Sequence, residues 1–451
     1  MHVRELLCEA DGLHVQESDH LAYEDAPATR FHLLVAIGSA GGQFSDGYAL
    51  GTIGIALTIA RGSLHLDSLW LGLLGSASLV GLFFGSLLIG PLADRFGRRP
   101  LFVPTMAMFA IVSLLQFLVS NPWELLPLRL LLGLMLGIDY VVCGAVVAEF
   151  SPRRARGRML ALLSVMWTVG YTLAFIIGAL LKSTVPDPWR WILASGAVPA
   201  GLIFLVRLKI PESPLWLTQR GKSAAAQQVI RRYIGGNVQL PAVVTPAHQS
   251  TRAAWAELFS PRYRGRTAIG AIYYTAMVIP YFALGTFIPI VFAALGIRNV
   301  YVGGAVFNLF LLMGSGFGFW LIDRLTRRQY LIGTFYVSAT ALLLLALAGS
   351  VPPAVIVTMF AIFAFVLAVA NDLDFIYLPE LFPTRLRASG VGVGTAASRI
   401  GSACATFLLP LSMTSLGVRP TLGLCVGVLL AGGLACHFFA PETQGRSLED
   451  M

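Results

Sequence analysis

Long apolar segments recur twelve times along the chain, and they constrain its fold more than any other feature. They lie at 31–60, 68–93, 101–120, 123–149, 159–181, 190–209, 267–295, 301–322, 330–349, 353–381, 389–413 and 418–440. An α-helix needs about 20 residues to cross the hydrocarbon core of a bilayer, and each segment is at least of that order. Only 12% of the residues are Asp, Glu, Lys or Arg, against roughly 25% in soluble proteins. The sequence therefore predicts an all-α membrane protein with twelve transmembrane helices.

Charge and cysteine content exclude several other classes of protein. The basic residues behind the net charge of +9 sit mainly in short connectors, which fits a membrane protein better than a nucleic-acid-binding surface. The five cysteines form no CxxC pair, so neither a metal site nor a disulfide framework is indicated. No nucleophile–base or phosphate-loop signature points to an enzyme. We expect no cofactor, metal or nucleic-acid partner, and a lipid bilayer around the chain.

The distribution of basic residues predicts how the chain is oriented. Twelve arginines lie in four even-numbered connectors, whereas the six odd-numbered connectors hold five Lys and Arg residues. The positive-inside rule then places both termini in the cytoplasm of a multi-pass inner-membrane protein. The predicted cytoplasmic parts are the tail 1–30, the interdomain loop 211–266 and the tail 441–451. Bundles of six helices occupy 31–210 and 267–440. Residues 1–30 lack the basic start of a signal peptide.

Two motifs occur twice at almost the same separation. Residues 94–99 (DRFGRR) return as 323–328 (DRLTRR), a shift of 229, and Glu149, Pro152 and Arg156 return as Glu380, Pro383 and Arg387, a shift of 231. Such a repeat indicates a duplicated six-helix unit. The fold prediction is thus two pseudo-symmetric bundles that meet around a binding site at the membrane midplane.

These motifs resemble the major facilitator superfamily of transporters. Residues 90–99 (GPLADRFGRR) resemble its signature loop, and 211–217 (PESPLWL) and 441–445 (PETQG) resemble the branch of sugar porters, organic-ion transporters and metabolite:proton symporters. Residues 44–49 (FSDGYA) resemble the Asp-Gly-Tyr-Asp motif of aromatic-acid:proton symporters, with Ala49 in place of the second Asp. The resemblance implies the major facilitator fold and alternating access, with a small-molecule substrate and protons as partners and a monomer as the functional unit.

Within that branch, the resemblance favours proton-coupled symport of a small organic anion, such as an aromatic or other carboxylate metabolite. The alternatives in the same class are a sugar or polyol:proton symporter and an organic cation or drug exporter. A sensor that binds ligand without transporting it is the alternative from another class.

Few ionisable residues lie inside the apolar segments, and each is costly at bilayer depth unless it is paired or hydrated. Asp46 is the leading candidate for the proton site, because burial favours the neutral form of a carboxyl group and a nearby arginine favours the charged form. Arg129 and Asp139 complete the predicted proton-coupling group. A permanent Asp46–Arg129 ion pair is the structural alternative, and Asp139 is either a second proton site or a partner of Arg129.

Arg399 at the middle of segment 11 is the predicted substrate contact, because a guanidinium can hold a carboxylate through two hydrogen bonds. Pairing with Asp374 or with a carbonyl of the C-terminal half is the alternative. Helical spacing predicts that Asn371, Asp374 and Tyr377 share one face of segment 10, and all three are candidate substrate contacts, with Asp374 also a candidate proton site. Aromatic residues of segments 5 and 7 could wall a ring-bearing substrate: Trp167, Tyr171, Tyr273, Tyr274 and Tyr281. The candidate substrate-binding set is completed by Gln43.

The repeated loop motifs predict ion-pair networks on the cytoplasmic side. Such networks would close that side in the outward-facing state and break when it opens. The candidate gate residues are Asp94, Arg95, Arg98, Glu149, Arg156, Asp323, Arg324, Glu380 and Arg387. A simpler alternative is that the arginines only determine topology, but this leaves the repeated acidic residues unexplained.

Overall fold

The fold is described from a computed structural model that covers residues 21–239, 256–322, 324–349, 351–383 and 386–443. Asp323 lies outside the described residues, and so do the side chains of Asp94 and Asp374. Most of both predicted tails and part of the interdomain loop also fall outside these ranges.

The first half contains six spans that follow the predicted segments closely. Their bounds are Arg30–Ala60 (span 1), Ser68–Phe96 (span 2), Arg99–Leu115 continued by the 3-10 turn Gln116–Leu118 (span 3), Pro122–Phe150 (span 4) and Arg153–Leu181 (span 5), with span 6 divided into Pro188–Ala194 and Ala197–Arg207. Two shorter helices follow, at Pro214–Gln219 and Ser223–Tyr233.

The second half repeats this arrangement. Span 7 is Arg264–Thr286 continued by Ile288–Ala294, span 8 is Val300–Ile322, span 9 is Arg327–Leu347, span 11 is Arg387–Ser415 and span 12 is Val418–Phe439. Span 10 is made of Pro353–Asn371, the 3-10 turn Asp372–Phe375 and the short helix Tyr377–Glu380. The described helices therefore agree with the predicted all-α fold of two six-span halves.

Several spans begin at a residue whose side chain caps the helix. The side chains of Asp67, Asn121 and Thr326 each accept a hydrogen bond from the main-chain amide three residues later, at the starts of spans 2, 4 and 9. Such caps satisfy amides that have no partner inside the helix. Spans 2, 4 and 9 therefore begin where the sequence supplies a capping residue.

The outer surface of the bundle is apolar. Among the described residues, ten helices are long and apolar enough to cross a membrane. The helices Arg30–Ala60 and Arg387–Ser415 are also long but carry more polar and small residues. Large side chains such as Leu118, Trp123 and Leu347 are more than 70% exposed. Exposure of so many apolar side chains to water would be unfavourable, so this surface is suited to contact the lipid tails of a bilayer.

The two halves touch at the end of the bundle where span 1 ends, which we call the far end; the near end is where span 1 begins. A Cβ atom at Gly54 of span 1 would lie 1.6 Å from the carbonyl oxygen of Thr286 in span 7, so only glycine permits this approach. The ammonium of Lys182 in span 5 lies 3.8 Å from the ring centroid of Tyr301 in span 8. These contacts join the halves at the far end.

Candidate functional site

A narrow cavity lies between the two halves. Its lining combines aromatic side chains with several hydrogen-bonding groups and one charged residue. The residues are Leu50, Leu82, Tyr140, Ser164, Trp167, Tyr274, Val278, Tyr281, Phe282, Asn371 and Arg399. The space in it that is open to water-sized molecules is only about 20 Å³, room for about one water, so the cavity is nearly closed in this structure. We call it the central cavity.

Arg399 is the charged residue of the cavity lining and is 4% exposed. Its guanidinium carbon lies 5.3 Å from the ring centroid of Tyr140 and 5.8 Å from that of Phe282. Tyr140 belongs to the first half and Phe282 to the second, so aromatic rings from both halves lie around one cation. The structure thus places Arg399 in the cavity, as the sequence predicts.

The predicted aromatic wall is only partly at the cavity surface. Trp167, Tyr274 and Tyr281 line the cavity. Tyr171 stacks on Trp167 at 5.4 Å between ring centroids, but it is not among the lining residues. Tyr273 packs instead against Tyr377, 5.4 Å away. Tyr140 and Phe282 are lining residues that sequence reasoning did not single out.

The expectation that Asn371 and Tyr377 share one helical face is wrong. The α-helix of span 10 ends at Asn371 and a 3-10 turn follows, because Pro379 has no amide hydrogen to bond the carbonyl of Phe375. Asn371 lines the cavity, whereas Tyr377 is fully buried and its hydroxyl donates to the carbonyl of Pro441 at 2.9 Å. Tyr377 therefore lies towards the chain terminus, away from the cavity.

A buried ion pair in the first half joins Asp139 of span 4 to Arg207 at the end of span 6. Both side chains are fully buried, and the two guanidinium nitrogens Nη1 and Nη2 donate to the two carboxylate oxygens, Nη2 at 3.0 Å. The same guanidinium donates to the carbonyls of Gly38, at 2.9 Å, and Phe102, at 2.8 Å. The Cys143 thiol donates to Asp139 at 3.1 Å.

The partner of Asp139 is therefore Arg207. The alternative from the sequence that paired Asp139 with Arg129 is wrong. Sequence reasoning missed Arg207 because it stands at the end of span 6 beside Lys209. A basic residue in that position resembles an ordinary interfacial arginine.

Asp46 and Arg129 do not form the ion pair that sequence reasoning considered. The Asp46 carboxylate accepts a hydrogen bond from the Gln43 amide at 3.3 Å, and its Oδ1 atom has no hydrogen-bond partner. Arg129 donates from Nη2 to the carbonyl of Ala49 at 3.3 Å, and its Nε has no partner. Both side chains are 1% exposed. Arg129 thus contacts Ala49, which stands where the resembled Asp-Gly-Tyr-Asp motif has its second aspartate.

Matching networks stand at the near ends of the two halves. Arg98 contacts Glu149 at 2.9 Å, and at the repeated positions Arg327 contacts Glu380 at 3.5 Å. Glu212 accepts hydrogen bonds from the main-chain amides of Arg98 and Arg99, and Glu442 does the same for Arg327 and Arg328. Each of these described contacts lies within one half. Whether they gate transport stays a prediction.

The other candidate gate residues surround these pairs. Arg156 donates to the carbonyl of Ser151 at 3.4 Å. The carbonyl of Arg95 accepts a bond from Arg220 at 2.9 Å. The guanidinium of Arg324 lies 4.0 Å from the ring centroid of Trp320, and Arg387 has two buried nitrogens, Nε and Nη2, that make no hydrogen bond.

The start of the described chain also packs against the first network. Leu21–Ala22 pairs in parallel with Val238–Gln239. The hydroxyl of Tyr23 donates to the carbonyl of Glu149 at 2.8 Å. Burial, reinforced by the charge of Glu149, raises the pKa of Tyr23 above its ordinary value, so this donor keeps its proton. Tyr23 therefore contacts the main chain of Glu149, whose side chain pairs with Arg98.

Two six-span halves around a central cavity define a multi-pass membrane transporter of the major facilitator type. The chain belongs to the family described as "Sugar (and other) transporter", whose family model matches residues 34–451. It is a family of transporters, and not of enzymes.

Similar proteins agree with this assignment. The inner membrane metabolite transport protein YgcS of Escherichia coli (strain K12) is 38% identical over 94% of this chain and 95% of its own length. The niacin transporter NiaP of Acinetobacter baylyi is 27% identical over 95% and 98%. The E. coli xylose transporter XylE, in a partially occluded inward-open conformation, has the same fold with a TM-score of 0.78, 18% identity, and coverage of 93% of this chain and 100% of that chain. This chain is thus a multi-pass inner-membrane protein.

Proposed function

We propose that this chain is a proton-coupled symporter that imports a small organic anion, such as an aromatic or other carboxylate metabolite, by alternating access. Both termini and the near-end networks would face the cytoplasm, and a monomer would suffice for transport. Symport of a monoanion with one proton moves no net charge. A pH gradient alone would then drive uptake, at about 1.4 kcal/mol per pH unit.

The observation that carries the proposal is the position of Arg399. A guanidinium in a water-poor cavity attracts a carboxylate and can hold both of its oxygens. Tyr140, Trp167 and Phe282 offer flat apolar faces around it, which suit a substrate with a ring. The relative NiaP is named as a niacin transporter, which supports a substrate of this kind.

Proton coupling is supported by the Asp46 carboxylate, which is 1% exposed with one oxygen that accepts no hydrogen bond. A buried anion is costly unless its charge is fully compensated. Such a group is suited to bind a proton in one state and release it when water reaches it in another.

A sugar or polyol is the second candidate, and the family description and the fold shared with XylE favour it. Hydroxyl-rich substrates need several hydrogen-bonding side chains, because every unpaired polar group in a dry cavity costs binding energy. Seven lining residues carry such groups: Asn371, Ser164, Trp167, Arg399 and the three tyrosines. The buried guanidinium of Arg399 is charged and therefore suits a carboxylate better than a hydroxyl group, so we favour the anion over the sugar.

Uptake by purified protein in liposomes tests the proposal. The vesicles are made alkaline inside, and labelled nicotinate, benzoate, xylose, myo-inositol and tetraethylammonium are offered in turn. Accumulation of nicotinate or benzoate that stops when a protonophore collapses the pH gradient is expected. Accumulation of xylose or myo-inositol alone would support the sugar, and proton-driven expulsion of tetraethylammonium would support a cation exporter.

A further inference from the structure

We propose that Arg207, and not Arg129, is the counter-charge of the proton site, and that Asp46 and Asp139 share this arginine and hold one transported proton between them. The inference rests on the proposed proton coupling. It adds which arginine is the counter-ion of the proton site and how many protons that site holds.

The Asp139–Arg207 pair lies directly against span 1, one helical turn from Asp46. A Cβ atom at Gly42 would be 1.8 Å from Nη2 of Arg207 and 2.4 Å from Oδ2 of Asp139. Gly42 and Asp46 are four residues apart in one helix, so they lie on the same face. The absence of a side chain at Gly42 therefore lets the pair approach the face of span 1 that carries Asp46. At this separation the charges of Asp139 and Arg207 are close enough to influence Asp46, because charges interact strongly in a buried environment.

Span 1 packs against spans 4, 5 and 6, and all four spans carry buried titratable or charged groups. Span 1 contributes Tyr48, whose hydroxyl is hydrogen-bonded to Ser195 at 2.8 Å. Span 4 contributes Asp139, Cys143 and Arg129, span 5 contributes Tyr171, and span 6 contributes Arg207. Of the two arginines, only Arg207 contacts a carboxylate within 4 Å among the described residues.

The charge balance of Asp46 with the Asp139–Arg207 pair indicates one proton. These three side chains carry a net charge of −1, and one proton makes the group neutral. Arg129 is left out of this balance because its guanidinium bonds the carbonyl of Ala49 and not a carboxylate. Both oxygens of Asp139 are engaged by Arg207, whereas Oδ1 of Asp46 accepts no hydrogen bond. Asp46 is therefore the group that takes the proton. A second proton on Asp139 would leave Arg207 buried without a counter-ion, which is strongly unfavourable.

Infrared titration of the purified full chain tests the proposal without any substrate. The absorption of protonated buried carboxyl groups is followed as the pH is raised. We expect one titrating band in the wild type and its loss in Asp46→Asn. In Asp139→Asn, Asp46 has Arg207 to itself, so the midpoint should move to lower pH by about one to three units. Arg129→Gln should move it by less.

A larger shift of the titration midpoint in Arg129→Gln than in Asp139→Asn would overturn the proposal. Two bands of protonated carboxyl groups that disappear as the pH of the wild type is raised would also overturn it. If Asp139→Asn does not fold, Gly42→Ala displaces the pair without changing any charge, and the midpoint should change. Gly144→Ala is its control, because its added methyl group meets nothing within 4 Å. An unchanged midpoint in folded Gly42→Ala would also overturn the proposal. These results do not depend on whether an anion is transported, so the two proposals fail separately.

Discussion

The guanidinium carbon of Arg399 lies 5.3 Å from the ring centroid of Tyr140, although the two residues belong to opposite halves of the molecule. Alternating access requires the halves to move relative to each other around the central cavity. This contact must therefore change during each transport cycle. A substrate bound to Arg399 would therefore alter a contact between the two halves.

Arg399 should determine that the substrate is an anion. Arg399→Lys keeps the charge but loses the planar fork, so it should weaken substrate binding, and Arg399→Ala should nearly abolish it. Loss of a buried charge-assisted pair costs about 2–5 kcal/mol, which is roughly 30-fold or more in affinity. Binding is measured by inhibition of labelled nicotinate uptake. Arg419→Lys at the far end, where Arg419 bonds the carbonyl of Gly349, is the control.

A structural role for Arg399 would give a different result in one double variant. If Arg399 only neutralises Asp374, then Arg399→Ala combined with Asp374→Ala should recover transport of the same anion. Such recovery would contradict the substrate assignment.

Asp46→Asn should abolish accumulation driven by the pH gradient and spare counterflow, which needs no net proton movement. The amide keeps the size of the carboxyl group but cannot carry a proton through the cycle. Uptake and counterflow are compared in the same liposomes. Accumulation by Asp46→Asn equal to that of the wild type would remove Asp46 from the mechanism.

Breaking the near-end pair should change transport without changing affinity. Arg98 and Glu149 are only 12% and 17% exposed at their side chains, so the pair is largely buried. Glu149→Gln keeps the size of the side chain and an oxygen that can accept a hydrogen bond from Arg98, but it removes the charge. It should speed the near-side labelling of a cysteine placed at Ser164 and lower the transport rate. Asp187→Asn, which breaks the Asp187–Arg190 pair, is the matched control. Equal labelling rates in Glu149→Gln and Asp187→Asn would contradict a gating role and would indicate that Arg98 and Glu149 only determine topology.

Gly54→Ala should destabilise the closed far end, because its methyl group would overlap the carbonyl oxygen of Thr286. Overpacking of this kind costs about 1–3 kcal/mol, which shifts the equilibrium roughly 5- to 150-fold. We expect slower transport and faster far-side labelling of a cysteine placed at Leu50. Gly62→Ala, whose methyl group meets nothing within 4 Å, should behave as the wild type. Equal transport by the two variants would show that this contact does not limit the cycle.

Local patterns in the sequence predict the spans and the matched networks well. Apolar segments mark helices directly, and identical spacings of Glu149 with Arg156 and of Glu380 with Arg387 reveal a duplicated unit without any structure. The position of Arg399 in the cavity follows from the rarity of arginine at mid-span.

Contacts between distant spans are less accessible to such reasoning. Spacing along a helix shows which face a residue occupies but not which helix covers that face, so Asp139 could not be assigned to Arg207 rather than to Arg129. The turn at Asp372–Phe375 also breaks the helical periodicity on which the placement of Tyr377 depended.

The two halves repeat each other in outline but not in their buried charges. At the 231-residue shift, Asp139 and Arg129 correspond to Ala370 and Phe360, and Arg399 corresponds to Thr168. All six of these residues are buried. The two halves therefore differ at the positions that the proposed mechanism uses, with the proposed proton site in the first half and the proposed charged contact to the substrate in the second. On this proposal, a chimera of halves from two relatives would take its driving force from one parent and the charge preference of its substrate site from the other, while Tyr140 and Trp167 of the first half would still form part of the cavity wall.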